Sequence, residues 1–580
     1  MQPSSDNQGS AAPGGGALKR YGPIAAIVAV IAIIAGVVVL GGGDDDEPTA
    51  SGGTDSASTD AGGTEGDGGE VPEGAIPYSL AEEQGILDDV TFPESCDLET
   101  GRVGLPWSFN EECFANVEDN GGETAPGVTA DTIKVVVYLT PDDDPVYNFI
   151  TGPINADDTN EQVRETYQGL TDMFNATYQT YGRKVELEFM DGSGMSNEEV
   201  PARADAVKAM EEMGAFAVWG GPILSPAWTE EIQARGGVCL GCPAVSDAEP
   251  SVFGIVPSAR QTRIHLVEYL DKKLNGKPAI YAGDESMHET ERVFGQLYID
   301  TGSEDVQTEL DALNENLDAA GIEVVEQIGY ALDPGSLAEQ AATAIARLKS
   351  AGVTSVIIGG DPIAPKTFTE VATAQGFFPE WILNGAALQD TTGFGRSYDQ
   401  EQWAHAFGIS ALDARVANGL GQAERLYEWW AGEYAPADDS IGVLYPQPYL
   451  FFRGLQAAGP NLTTESFRDG MFSIPPTEPA ITNQIITYGD HGFWEETDWN
   501  GIDDLTELWW DPTVPGLDEI RKDGVGMYRA VDGGVRYLPG EWTEELKVFD
   551  PEGTTTVYEE LPAGEEPPEV PPFPGSPAAG

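Results

Sequence analysis

The sequence predicts an α/β protein in which two parallel-sheet lobes follow one membrane-crossing segment and an acidic stalk. Three observations carry that expectation. Short β-branched runs alternate with amphipathic helical spacings in two successive series, an uncharged apolar run occurs near the start, and 41 % of the 580 residues are hydrophobic, enough for several cores. Charge narrows the function. With 29 Lys+Arg against 98 Asp+Glu the formal charge is −69, so the clustered cations that grip a phosphate backbone are missing and no nucleic-acid partner is expected.

Residues 1–22 end in Lys19 and Arg20, and Asp44, Asp45, Asp46 and Glu47 follow the apolar run IAAIVAVIAIIAGVVVL (24–40). The positive-inside rule therefore places the N-terminus in the cytoplasm and the bulk of the chain outside a bacterial plasma membrane, with residues 23–43 as a single transmembrane helix or signal anchor. Small-residue chemistry at Val39-Leu40-Gly41 keeps a cleavable signal peptide open as the alternative. Both readings export the protein. No Cys follows the run, so a lipid-anchored form is not expected. Residues 44–77 are Gly, Ser, Thr and acid with almost nothing to bury, which predicts a flexible, self-repelling linker. The Pro-rich, acidic residues 550–580 predict a semi-extended tail.

An exported chain favours oxidised cysteines, and the four here fall as Cys96 with Cys113 and Cys239 with Cys242. Of three connectivities, these local pairs are the cheapest to close. The first would staple an aperiodic loop within an N-terminal extension (78–130), worth about 3 kcal/mol. The second has the spacing of a thiol–disulfide redox centre, yet Pro243 rather than a helix follows it, which favours a structural or ligand-shaping disulfide. Zinc would need a second ligand pair, and His265, His288, His405 and His491 do not sit at usable spacing. No cofactor is expected.

Lobe 1 (131–256) opens on IKVVVYL (133–139), a buried parallel strand in type. Val163, Tyr167, Leu170, Phe174 and Tyr178 then share one helix face, which Gly182 is expected to end. VELEFM (185–190), AFAVW (215–219), 238–240 and 252–256 read as strands, with a helix face at Val200, Val207 and Met210. Lobe 2 (257–384) reads as a helix through Ile264, Val267, Leu270 and Leu274, the strand PAIYA (278–282), and a long helix from about Glu289 to Ala320. The strand IEVVEQI (322–328), a helix with Leu337, Ala341, Ala344 and Leu348, the strand TSVIIGG, a helix about Phe368 and Val371 and the strand EWILN (380–384) complete it.

Several phrases, in this order and spacing, resemble the type I periplasmic binding proteins. They are GVTADTIKVVVYL, NATYQTYGRKVELEFMDGSG, AVKAMEEMGAFAVWGGPILSPAWTEEIQARGGVCLGCPAVSD, VFGIVPSARQTRIHLVEYL and LKSAGVTSVIIGGDPIAPKTFTEVATAQGFFPEWILNG. The resemblance covers roughly residues 127–460 and is nearest to the leucine/isoleucine/valine-binding group of ABC-transporter substrate-binding proteins. It implies two Rossmann-like lobes joined by a three-stranded hinge. It also implies that residues 385–485 return to lobe 1, through WAHAFGIS, ERLYEWWAGEY and PQPYLFFRGLQAAG, before reaching lobe 2.

Open parallel sheets bind ligands at the carboxyl ends of their strands, which selects loops without an alignment. After the first strand come Tyr138, Thr140 and the run Asp142, Asp143, Asp144. After AFAVW come Gly221 and Ser225, with Ser225 an expected N-cap and Pro226 the first helical residue. The next loop adds Cys242, Ala244 and Ser246. In relatives, the resemblance implies, these loops hold a ligand carboxylate. From lobe 2 the candidates are Asp284, Glu285, Asp361 and Asn384, with Asp284 or Asp361 expected to pair an ammonium group. YLTPDDDPVYN departs from the family's Pro/Thr/Gly-rich first loop, so a branched-chain amino acid is not implied.

Glu496, Asp498, Asn500, Asp504 and Glu507 repeat the oxygen positions of a calcium loop, with Gly501 at its sixth place, but lack an entering helix; an acidic turn is the competing reading. Residues 486–549, rich in Trp and Tyr, are expected to pack beside the lobes. No G-x-S-x-G, H-E-x-x-H or Walker loop occurs, so an enzyme is not expected. The sequence thus reads as an extracellular receptor that captures a small polar ligand, an amino acid or a relative, for ABC permease subunits. The alternative is an anchored sensor or adhesion ectodomain with no transport role.

Overall fold

A computed structural model describes residues 71–580 apart from 155, 246–248, 303, 386–387 and 478. The expected membrane segment 23–43 and most of the acidic linker lie outside the described residues, and no described helix is long and apolar enough to cross a membrane.

Lobe 1 is built on five strands, β1 (Thr132–Leu139), β2 (Lys184–Asp191), β3 (Ala217–Trp219), β4 (Val238–Leu240) and β5 (Val252–Phe253). They run parallel in the order β2-β1-β3-β4-β5. Val135, Val136 and Val137 are all buried because helices cover both faces, which is why the run is continuous rather than alternating. The first helices are α1 (Pro145–Thr151), α2 (Asn160–Thr177), α3 (Glu199–Val207) and α4 (Ala227–Ala234). Thr159 and Gln162 close a capping box on α2. That helix ends with Tyr178 in extended conformation, so Gly182 is not its cap; its φ of +81° serves the turn into β2.

Lobe 2 repeats the plan with α5 (Ala259–Tyr269), β6 (Phe294–Ile299), α6 (Glu304–Ala319), β7 (Val324–Tyr330), α7 (Leu337–Ser350), β8 (Ser355–Ile358), α8 (Ala364–Gln375), β9 (Glu380–Gly385) and β10 (Ala406–Ser410). The parallel order is β7-β6-β8-β9-β10, the same as in lobe 1. PAIYA is not a strand. Residues 278–282 form an irregular cover, with one bridge from Pro278 to Glu291, and the first strand is FGQLYI, inside the span read as helix. Ala279 and Ala282 are buried in that cover, and apolar content alone does not separate a cover from a strand. The buried Arg292 fixes the entry to β6 through a bidentate pair with Glu380, at 2.7 and 3.0 Å.

WAHAFGIS does not return to lobe 1 either. All of Ala406–Ser410 is buried as β10, and Gly408, at φ +154°, has no room for a Cβ against the Leu383 backbone. Residues 486–549 do more than pack beside the lobes. Two long strands, β11 (Leu505–Leu517) and β12 (Asp523–Ala530), extend the lobe 2 sheet antiparallel to β10, and β13 (Arg536–Tyr537) pairs with β11.

Helices α9 (Gln422–Ala431), α10 (Pro446–Ala458) and α11 (Thr464–Ser473) belong to lobe 1, where Phe452 of α10 stacks on Phe174 of α2 at 5.5 Å. The chain therefore crosses between lobes at 254–258, 411–421 and 474–504. The crossings bond to one another. Gly254 exchanges backbone bonds with Trp499 and Gly501, and the Ala414 amide donates to the Ile481 carbonyl. Both local cysteine pairs are disulfides, Cys96 with Cys113 and Cys239 with Cys242.

Candidate functional site

The loops after the strands of both lobes meet at one crevice. Tyr147 of α1, Ala156 and Ile223 come from lobe 1, yet they belong to the same apolar cluster as Ile299, Tyr330, Ile363 and Phe394 of lobe 2. Tyr147 and Ile223 are each 1 % exposed. Gly393 of lobe 2 lies so close to Ile154 that an added Cβ would touch its Cγ2 at 3.3 Å. The crevice is thus filled by the chain's own side chains. Asp144 makes this possible: it caps α1 by accepting from the Tyr147 amide (3.0 Å), and it also accepts from the Ser196 amide and hydroxyl (2.6 and 2.7 Å).

The candidates of lobe 1 are buried in this region. Thr140 is 1 % exposed and Ser225 0 %, and neither hydroxyl has a hydrogen-bond partner. Ser225 does not cap α4, whose N-terminus lacks a side-chain cap and has Pro226 as the flanking residue. Tyr138 turns into its own lobe, edge-on to Trp228 at 5.0 Å, and burial, then Asp205 and Asp144, push its phenol well above the usual range. At Gly221 a Cβ would strike Trp228 and Pro243, so the glycine serves close packing within lobe 1. Cys242 is buried in its disulfide with Sγ 3.3 Å from the Gly220 carbonyl, and Ala244 is half-buried. Ser246 lies outside the described residues. Asp142 and Asp143 are exposed, Asp142 accepting from Asn160.

In lobe 2 the placement of two candidates is overturned. Asp284 and Glu285 precede β6 and so sit at the amino ends of the strands, with the Asp284 amide bonded to the Phe378 carbonyl, across the sheet from the crevice. Asp284 caps a single turn there, while Glu285 is exposed. Asp361 is at the crevice edge, fully buried, but three donors already occupy it: the Tyr330 hydroxyl at 2.6 Å and the amides of Ile363 and Ala364 at 2.7 and 2.6 Å. Burial raises its carboxyl, so it is a loop clamp rather than a free counter-charge for an ammonium. Asn384 is the penultimate residue of β9, its amide packed over Gly359. Sequence reasoning missed Gln389, whose Nε2 donates to the Asp361 carbonyl while its buried Oε1 has no partner. It missed Tyr147 as well, although Asp144-Pro145 carries the cap-then-proline signal of a helix start.

The calcium-loop residues do not converge. Because β11 begins at Leu505, Asp504 is directed to Arg536 (3.0 Å) and Glu507 to Lys273 (2.6 Å) and Tyr269 (2.9 Å), while Asp498 accepts from Gln261 and Glu496 is exposed beside Arg260. Among the described residues Asp157, Asp158 and Asp439 do cluster, with their ligand atoms within 4.8 Å of one another. Arg521 and Lys522, at the tip of the β11–β12 hairpin, answer them. Arg521 donates to the Asp438 carbonyl (2.6 Å) and pairs with the Asp439 carboxylate (3.0 Å), and Lys522 lies 3.4 Å from Asp439. This hairpin latches lobe 2 onto lobe 1.

Cavities among the described residues also lie elsewhere. One of about 120 Å³ sits among the crossings, lined by Trp107, Asp413, Arg453 and Thr482, and one of about 220 Å³ sits beside the latch, lined by Glu424, Tyr434, Asp438 and Arg521. Neither is lined by a ligand-binding candidate read from the sequence.

No family model matches the sequence, and no curated protein matches it. Solved structures do. A fatty acid ABC transporter substrate-binding protein from Thermomonospora curvata is similar at 14 % identity and TM-score 0.47, covering 74 % of this chain and 99 % of that one. An ABC transporter substrate binding protein from Aeropyrum pernix is similar at 12 % and 0.47, covering 72 % and 97 %. The branched-chain amino acid transporter substrate binding protein of Streptococcus pneumoniae, in complex with isoleucine, is similar at 13 % and 0.44, covering 69 % and 100 %.

Proposed function

We propose that this protein is an exported, membrane-anchored solute receptor that takes a small polar molecule between its lobes and passes it to ABC permease subunits. The observation that carries the reading is chemical. Thr140 and Ser225 of one lobe and Gln389 of the other hold buried oxygen atoms with no partner, all on loops that follow strands. A buried polar atom left unmade costs about 1–3 kcal/mol, so such atoms on the strand-end loops of both lobes suit a ligand that would satisfy them. Lobe closure about three crossings then supplies contacts from both sides. The segment Ile24–Leu40 and the acidic stalk would hold the receptor at the outer face of the membrane.

A second reading has its own support. Tyr147 and Ile223 fill the crevice with apolar packing, which a ligand would have to displace, and this favours an anchored sensor or adhesion ectodomain whose lobes stay shut. A thermal-shift screen of residues 71–580 against amino acids, amides, polyamines, small carboxylates and short peptides separates the two. The receptor reading expects one class to raise the melting temperature, and the Ser225→Ala, Thr140→Val double variant to abolish that rise. A screen with no stabilising class, repeated with no hit in Tyr147→Ala where the crevice is cleared, would leave the second reading standing.

A further inference from the structure

We infer that the C-terminal segment 555–578 is a clasp that holds the two lobes at a fixed angle, and that the Trp429–Trp430 end of α9 is its built-in receptor for a proline-rich strand. The sequence predicts a semi-extended tail here, and the segment is fastened to the rest of the protein at both ends and between them. It starts on lobe 2, where Thr555 and Ala530 exchange backbone bonds at 2.8 and 3.1 Å and the Tyr558 hydroxyl donates to the Gly533 carbonyl at 2.8 Å. It then enters the hinge. Tyr558 donates to the Arg415 carbonyl and accepts from the Ala417 amide, both at 2.8 Å, as a fourth chain beside the second crossing.

Glu565 grips the third crossing. Its carboxylate accepts from the Ile481 amide (2.9 Å), the Thr482 amide (3.1 Å) and the Thr482 hydroxyl (2.5 Å), and its carbonyl accepts from Ser108 (2.7 Å). The segment ends on lobe 1. Trp429 Nε1 lies 3.1 Å from both the Val570 and the Pro571 carbonyls, Phe573 packs on Trp430 with ring centroids 6.3 Å apart, and Ala578 covers Gly432.

The chemistry of PPEVPPFP explains that last contact. Proline removes backbone donors and holds the chain in an extended helix whose carbonyls point outward, so an indole N–H on an aromatic surface is a natural reader, and the restricted chain loses little entropy on docking. Because every attachment lies on one chain, the lobes cannot swing apart until one end of the segment detaches. The clasp touches none of the crevice residues, so it stands apart from the ligand reading.

The test is amide hydrogen exchange on the full chain, comparing it with a chain ending at Glu565 and with Trp429→Phe. In the truncated chain the amides of Tyr147, Arg521 and Lys522, bonded locally but carried by residues whose side chains form the lobe–lobe contact, should exchange about tenfold faster or more, while Val136, Val218 and Ile357 in the two sheets keep their protection. Trp429→Phe should move the same amides in the same direction by less. A synthetic peptide of residues 566–578, added at about millimolar concentration, should restore slow exchange to the truncated chain. Unchanged interlobe amides in both variants would overturn the clasp. So would loss of protection at Val136 and throughout lobe 1, which would make the segment an ordinary part of that lobe's core.

Discussion

Asp390 shows how much of this molecule's behaviour is set by single buried acids. It follows β9 and is 6 % exposed; burial pushes its carboxyl up to about 6, while a hydrogen bond from Ser410 pulls down and Glu519 pushes up. Between the ordinary carboxyl value of 3.8 and about 6 the folded state therefore binds more protons than the unfolded state, so its contribution is present below 3.8 and is lost as pH rises through 6. Asp390→Asn, which keeps an oxygen to accept from Ser410, should stabilise the protein at pH 7.5 by up to about 3 kcal/mol and by much less at pH 4.5, measured by urea unfolding at both. Equal effects at the two pH values would show that the fold does not raise the Asp390 carboxyl above its unfolded value. Residues of this kind were the least legible in the sequence. Asp361 stands on a loop that follows a strand, as the sequence predicts, but its occupation by the Tyr330 hydroxyl depends on a strand that arrives from elsewhere in the chain, and no local pattern announces it. Asp284 and Glu285 lie at the opposite end of the sheet from their expected place, because the apolar run PAIYA is a cover and not a strand.

At the scale of elements, local pattern served well where burial followed one period. The strands of lobe 1 and the faces of α2 and α7 stand within a few residues of where periodicity places them, because each is covered along its own length. It served less well where neighbours decide. Phe294–Ile299 is a strand because it lies between β7 and β8, and β11 is a strand because β10 offers it an edge; neither partner is near in sequence. The short helix α1 carries the ring that packs between the lobes. Truncating Tyr147 to Ala should cost about 3–5 kcal/mol if the crevice stays shut, as for a large buried ring in a core. The measurement is equilibrium unfolding in urea together with small-angle scattering. A loss below about 1 kcal/mol with an unchanged envelope would mean that Tyr147 is not a keystone of the lobe contact.

The whole molecule carries a formal charge of −69, and its ion pairs spend most of the few cations it has. Unpaired acids therefore repel across the surface, and salt should relieve that repulsion more than it weakens the exposed pairs. The melting temperature should rise between about 0.01 and 0.5 M sodium chloride, by calorimetry, and a fall would mean that the latch at Arg521 and its kin outweigh the repulsion. The two-lobed α/β plan was legible at this scale, since alternation in two series implies it, whereas the strand order shared by the two sheets was not. The docked ending was not, because composition describes a proline-rich tail by what it cannot bury and says nothing of a surface shaped to receive it.

The clasp also has a mechanical side. Its bonds are strung in series from Ala578 back to Thr555, so a pull on the last residue would load them one after another, first the contact at Gly432, then the indole of Trp429, then the grip of Glu565. Such a seam peels at low force, whereas the sheets behind it, sheared along many parallel bonds at once, resist. Traction on this segment from its C-terminal side would therefore unfasten the jaws long before it unravelled either of them.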